Sequence, residues 1–68
     1  MNFLLEIRGA VNLKEDFKNI KVNRIYELLG EDRTLVEVVI TSQSVLEDLV
    51  ERLKDRIIAL YTVRVTSR

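Results

Sequence analysis

Residues 12–29, NLKEDFKNIKVNRIYELL, decide the fold, because they read as two different structures. As one long helix the stretch is well punctuated. Asn12 stands where an N-cap side chain accepts an orphan N–H, Glu15 follows three positions on, and Gly30 comes just past the end. The apolar residues conflict with this reading. Leu13, Phe17, Ile20 and Leu28 cluster on one side of such a helix, while Val22, Ile25 and Leu29 project from the other. It would need burial on two sides, which a 68-residue domain can hardly arrange. As a short helix over 13–18 followed by a strand over 20–29, the pattern improves. Ile20, Val22, Tyr26 and Leu28 then alternate, with Arg24 the one interruption, and Gly30-Glu31-Asp32-Arg33 becomes a tight hairpin connection. The second reading is preferred; the first leaves a three-stranded βαβαβ arrangement as its rival.

Outward from this stretch the signals are plainer. Residues 34–41 are rich in β-branched side chains, with Val36, Val38 and Ile40 alternating against Leu35, Glu37 and Val39, which predicts a strand. Residues 44–56 predict a helix, because Leu46, Leu49, Val50, Leu53 and Ile57 recur at spacings of three and four. Ser44 and Glu47 have capping-box spacing, and Asp48 and Arg52 form an i,i+4 pair. Residues 58–66 predict a strand with Ala59, Tyr61, Val63 and Val65 on one face and Ile58, Leu60, Thr62 and Arg64 on the other. Residues 3–8 open the chain as a strand with Phe3, Leu5 and Ile7 on one side.

The order strand, helix, strand, strand, helix, strand is the ferredoxin-like order: an α+β fold with a four-stranded antiparallel sheet and two helices on one face. Residues 1–68 make one such domain, without repeats or linkers. Asn19-Ile20, the Gly-Glu-Asp-Arg-Thr connection, LVEVVI, LEDLVERLK and ALYTVRV together resemble an ACT domain over about residues 19–66. Such regulatory modules occur in acetolactate synthase small subunits and in stringent-response synthetases. The resemblance implies a regulatory role, dimerisation through the sheet, and an amino-acid site at the turn after the first strand. Its front end departs from the family pattern. The family's Asp/Asn-x-Pro-Gly-x-Leu turn is here Arg8-Gly9-Ala10-Val11-Asn12-Leu13, and the chain contains no proline.

Composition narrows the chemistry. The chain has no cysteine and no histidine, which removes disulfides, thiolate sites and the commonest general base and transition-metal ligand. Eleven basic residues balance eleven acidic ones, so the basic excess usual in nucleic-acid binders is missing and none is expected as partner. Tyr26, Tyr61 and Phe17 are the aromatic residues for an RNA-binding alternative, with core or interface packing preferred for them. The longest apolar run, 57–61, is too short to enter a bilayer as a span, and the start lacks a signal-peptide pattern, so the expected compartment is the cytoplasm.

No catalytic residue, metal site or cofactor is expected. The acidic pairs Glu15-Asp16, Glu31-Asp32, Glu47-Asp48 and Glu51/Asp55 lack any surrounding base or EF-hand spacing and read as solvated faces. Among Thr41, Ser42, Gln43 and Ser44 no serine has a Ser-x-x-Lys spacing to activate it. The candidate ligand residues are Gly9, Ala10, Asn12 and Leu13, at a turn whose exposed N–H groups would attract an anion.

The expected function is therefore a non-catalytic regulatory or assembly module, with an amino-acid sensor as the alternative. Its partner would be a second copy or a host protein. Alternation assigns Phe3, Leu5, Ile7, Val36, Val38, Ile40, Tyr61, Val63 and Val65 to the helix side of the sheet. Leu4, Leu35, Val39, Ile58 and Leu60 then fall on the open side as the candidate interface, among Glu6, Arg8, Glu37 and Arg64.

Overall fold

The computed structural model describes residues 1–64 and 66. Its elements run β1 (Asn2–Arg8), α1 (Leu13–Asp16), β2 (Lys21–Glu27), β3 (Arg33–Val39), α2 (Gln43–Leu53) and β4 (Ile57–Val63). They form one antiparallel sheet in the order β2-β3-β1-β4, the ferredoxin-like βαββαβ layout. The molecule is 32 × 31 × 19 Å, and the short dimension fits one sheet with one layer of helix on it.

Residues 12–29 take the helix-plus-strand reading, and Asn19 makes the switch. The helix lasts one turn, shorter than the span 13–18 expected of it. Asn19 then adopts φ 63°, the left-handed region that asparagine tolerates better than other side-chain-bearing residues. This reverses the chain so that the Ile20 N–H bonds the Phe17 carbonyl at 3.0 Å and β2 begins at Lys21. The strand stops at Glu27 rather than at Leu29, which lies on the hairpin tip and is 94% exposed. Gly30, at φ 83°, closes the tip.

Arg24 is not an interruption but the sign of a β-bulge. Val22 pairs with Val38 and Ile25 with Val36, so β2 spends three residues where β3 spends two. The extra residue, Asn23, turns Arg24 and Tyr26 to the open face and Ile25 to the helix side. A second bulge does the same in β4. Ile7 pairs with Ile57 and Glu6 with Ala59, leaving Ile58 as the extra residue. The alternation expected for residues 58–66 is thereby reversed. Leu60 lies opposite Leu5 on the helix side, while Tyr61 and Val63 lie opposite Leu4 and Asn2 on the open side. Val65, also expected on the helix side, falls outside the described residues.

The core sits between the two central strands and α2. Leu5, Ile7, Val36, Val38, Leu49 and Leu53 are fully buried, each burial stabilising by about 1.5–3 kcal/mol, and Phe17 and Ile40 join them. Ser42, not Ser44, caps α2. Ser42 is the extended residue, and its hydroxyl accepts the Val45 N–H at 3.3 Å. The third helical position is therefore apolar Val45, which cannot complete a capping box. Arg52 turns away from Asp48 and donates to the Asp16 carbonyl at 3.0 Å.

Two substitutions test this account by chemical denaturation. Asn19→Val should cost about 1–2 kcal/mol because a β-branched residue resists φ 63°, whereas Asn19→Gly should be near neutral. Leu49→Ala should cost about 2–5 kcal/mol.

Candidate interaction surface

Helices cover one side of the sheet, and the other side is assembled from four strands in register. One row across it reads Tyr26, Leu35, Glu6, Ala59, and the next reads Arg24, Glu37, Leu4, Tyr61. A third reads Lys21, Val39, Asn2, Val63. Side chains directly opposite in an antiparallel ladder share a face, which makes these rows contiguous. Leu4, Leu35 and Val39 of the expected interface lie here. Leu60 lies on the opposite face and Ile58 sits at the bulge; Tyr61 and Val63 take the places expected of them. The bulges moved these residues, and the sequence signals for both are brief: Arg24 breaking one alternation, and the Ile57-Ile58 doublet starting the other.

Both acids on this face have a hydrogen-bond partner. Glu6 accepts from Arg33 at 2.9 Å, and Glu37 accepts from Asn23 at 3.2 Å. The Tyr26 phenol beside Arg24, and then the charge on Glu37, raise the arginine's pKa further above its ordinary range. Tyr26 and Tyr61 are both exposed, on strands three spacings apart, which is roughly 14 Å. The two acids between them separate what would be stacking platforms.

The turn of the expected ligand site uses its polar groups internally. The Gly9 N–H donates to the Asp32 carbonyl at 2.7 Å, with φ 82°, and its own carbonyl accepts the buried Thr34 hydroxyl at 2.8 Å. The Asn12 side chain accepts the Glu15 N–H, while its backbone N–H donates to the Asp16 carboxylate at 2.9 Å. Ala10 and Leu13 border a cavity of about 250 Å³ whose other walls include Val11, Ile25, Glu27 and Thr34. The Gly9 and Asn12 N–H donors that an amino acid's carboxylate could use are thus already bonded, and Glu27 lines the same cavity.

Among the described residues Asp16 is the one buried acid. Its carboxylate accepts from Arg56 at 2.7 Å and from the Asn12 N–H. The Arg56 hydrogen bond outweighs burial, which opposes it, and the Asn12 bond and neighbouring cationic charge add to the effect. The carboxyl is held below its ordinary value of 3.8. Glu15 beside it points to solvent, so the pair offers no shared site. Among the described residues no three acidic side chains converge as a metal site, and no helix is long and apolar enough to cross a membrane.

The chain matches no family model, no curated protein and no solved structure.

Asp16 makes stability depend on pH with a definite sign. Its folded pKa lies below the unfolded one, so its contribution is fully present above about pH 4 and lost as pH falls through the folded pKa. Asp16→Asn should lower stability at pH 7 by about 1–2 kcal/mol, discounted because the Arg56 side chain is 38% exposed. Thermal melts between pH 7 and 2 should show the gap to the wild type closing at the acidic end.

Proposed function

We propose that this domain works by assembly rather than by chemistry: a cytoplasmic regulatory or oligomerisation module that self-associates through its sheet. The observation that carries the reading is the one-sided covering of that sheet. Leu4, Leu35, Val39 and Val63 are half-buried on the open side with no second layer above them, and Tyr26 and Tyr61 stand exposed at its flanks. A chain this short buries only about 60% of its unfolded surface, so covering more apolar area stabilises a marginal core. With no cysteine for a disulfide, a second subunit is the remaining means of doing so.

The amino-acid sensor suggested by the ACT resemblance draws less support, since Gly9 and Asn12 spend their hydrogen-bonding groups within the chain. An RNA-binding sheet draws little, since Glu6 and Glu37 occupy the centre of the face where phosphate or base would lie.

Sedimentation equilibrium of the full chain tests the proposal. A dimer should form with rising concentration. A chain still monomeric at about 1 mM, where a contact of only about 4 kcal/mol would show, overturns it. Shift titrations with amino acids should leave Gly9, Ala10 and Asn12 unmoved; specific shifts there would raise the sensor above the assembly module.

A further inference from the structure

We propose that the helix side of this domain carries a docking groove between α1 and β2, and that its occupant is a basic amphipathic helix of a partner protein. The groove lies across the sheet from the self-association face and goes beyond that reading.

The groove exists because α1 is too short to roof β2. Four helical residues rise about 6 Å, whereas the seven residues of β2 run about 23 Å. Ile25, turned to the helix side by the bulge, is therefore left 38% exposed, and Leu13 of α1 is 46% exposed. Both line the cavity of about 250 Å³, with Val11 beside them. Pockets for free small molecules usually begin at about 300 Å³, so this one suits a single apolar side chain.

A second cavity, of about 240 Å³, adjoins the first and shares Ala10, Glu27 and Thr34 with it as a wall. Its character is acidic. Glu27, Glu31 and Asp32 line it, and none of them has an ion-pair partner among the described residues. Arg33, the cation in the same wall, is already bonded to Glu6 at 2.9 Å. Leu29, the most exposed leucine, stands beside these acids.

An apolar cavity joined to an acidic one selects its occupant by chemistry. Side chains three or four apart on a helix lie about 5–6 Å from each other on one face. One helix can therefore seat an apolar side chain against Leu13 and Ile25 and a lysine or arginine against Glu27. It would also supply the layer over β2 that α1 leaves out. A second copy of this chain is the wrong occupant. A two-fold contact here would set Glu27, Glu31 and Asp32 against their own equivalents. The same acids repel nucleic acid and anionic lipid.

An amide-shift titration of the full chain tests the groove. The probe is a synthetic helical peptide of about 15 residues, with leucine on one face and lysine on the other. Shifts should collect at Val11, Leu13, Ile25, Glu27 and Leu29, and binding should weaken as salt rises. Glu27→Lys, at an exposed position, should raise the dissociation constant about tenfold. Ile25→Lys should raise it about tenfold or more. A peptide with glutamate in place of lysine should leave these residues unmoved. Leu35→Lys, on the open face, should dissolve the dimer and leave peptide affinity unchanged, so the two readings fail separately. An acidic peptide that binds as tightly, shifts that collect instead at Leu4, Leu35 and Tyr61, or no shifts at about 1 mM peptide overturn the groove. A monomeric wild type that shows the expected shifts overturns assembly and leaves the groove standing.

Discussion

Asp16 and Arg56 lie forty residues apart in sequence and meet at 2.7 Å, and the short α1 is held in place largely through that meeting. A helix of one turn has almost no stability of its own, because nucleation fixes several residues for a single hydrogen bond. Here the missing length is replaced by polar attachment. Arg56 reaches the Asp16 carboxylate and, at 3.5 Å, the Ala10 carbonyl, while Arg52 reaches the Asp16 carbonyl. The carboxylate in turn receives the Asn12 N–H, so both ends of the turn are fastened to the end of α2. Phe17, just beyond, is then placed in the core. The ion pair is partly buried and hydrogen-bonded on both partners, the condition under which such a pair repays its desolvation.

With α1 fixed, two bulges decide what the sheet shows to its surroundings. Each inserts one residue, and each inverts the facing of everything beyond it. At Asn23 the bulge sends Tyr26 outward beside Leu35 and keeps Ile25 over Val36. At Ile58 it lets Ile57 pair with Ile7 on the core side while Tyr61 joins Leu4 on the open face. The same two irregularities leave the edges unequal, since the bulge in β2 lies near the charged Lys21 and Arg24 whereas most of β4 is regular and neutral.

The proposed assembly role rests on these features. The chain lacks the side chains that titrate near neutrality, and the buried Asp16 carboxylate is committed to Arg56. The turn at Gly9 is closed by its own hydrogen bonds with Asp32 and Thr34. What remains unsatisfied is apolar area: the half-buried rows of the open face and the uncovered side of Leu60. Apolar area is non-directional and is satisfied by any well-fitting surface, which is the chemistry of a subunit contact.

The sequence by itself determined the elements outside residues 12–29, the layer that α2 forms and most of the core, because those follow from local periodicity, while it left 12–29 open between one helix and a helix plus strand. Val36 and Val38 alternate, and Leu49 and Leu53 repeat at helical spacing, whatever lies around them. The absence of histidine and cysteine likewise restricts the chemistry without reference to any fold. Tertiary structure alone decided the facing of Tyr26, Leu60, Tyr61 and Val63, the cap at Ser42 rather than Ser44, and the partner of Asp16. A bulge is defined by the strand opposite it, so period-2 counting along one strand is blind to the inserted residue. A salt bridge between residues 16 and 56 depends on where two chain segments meet, and nothing local to either residue records the other.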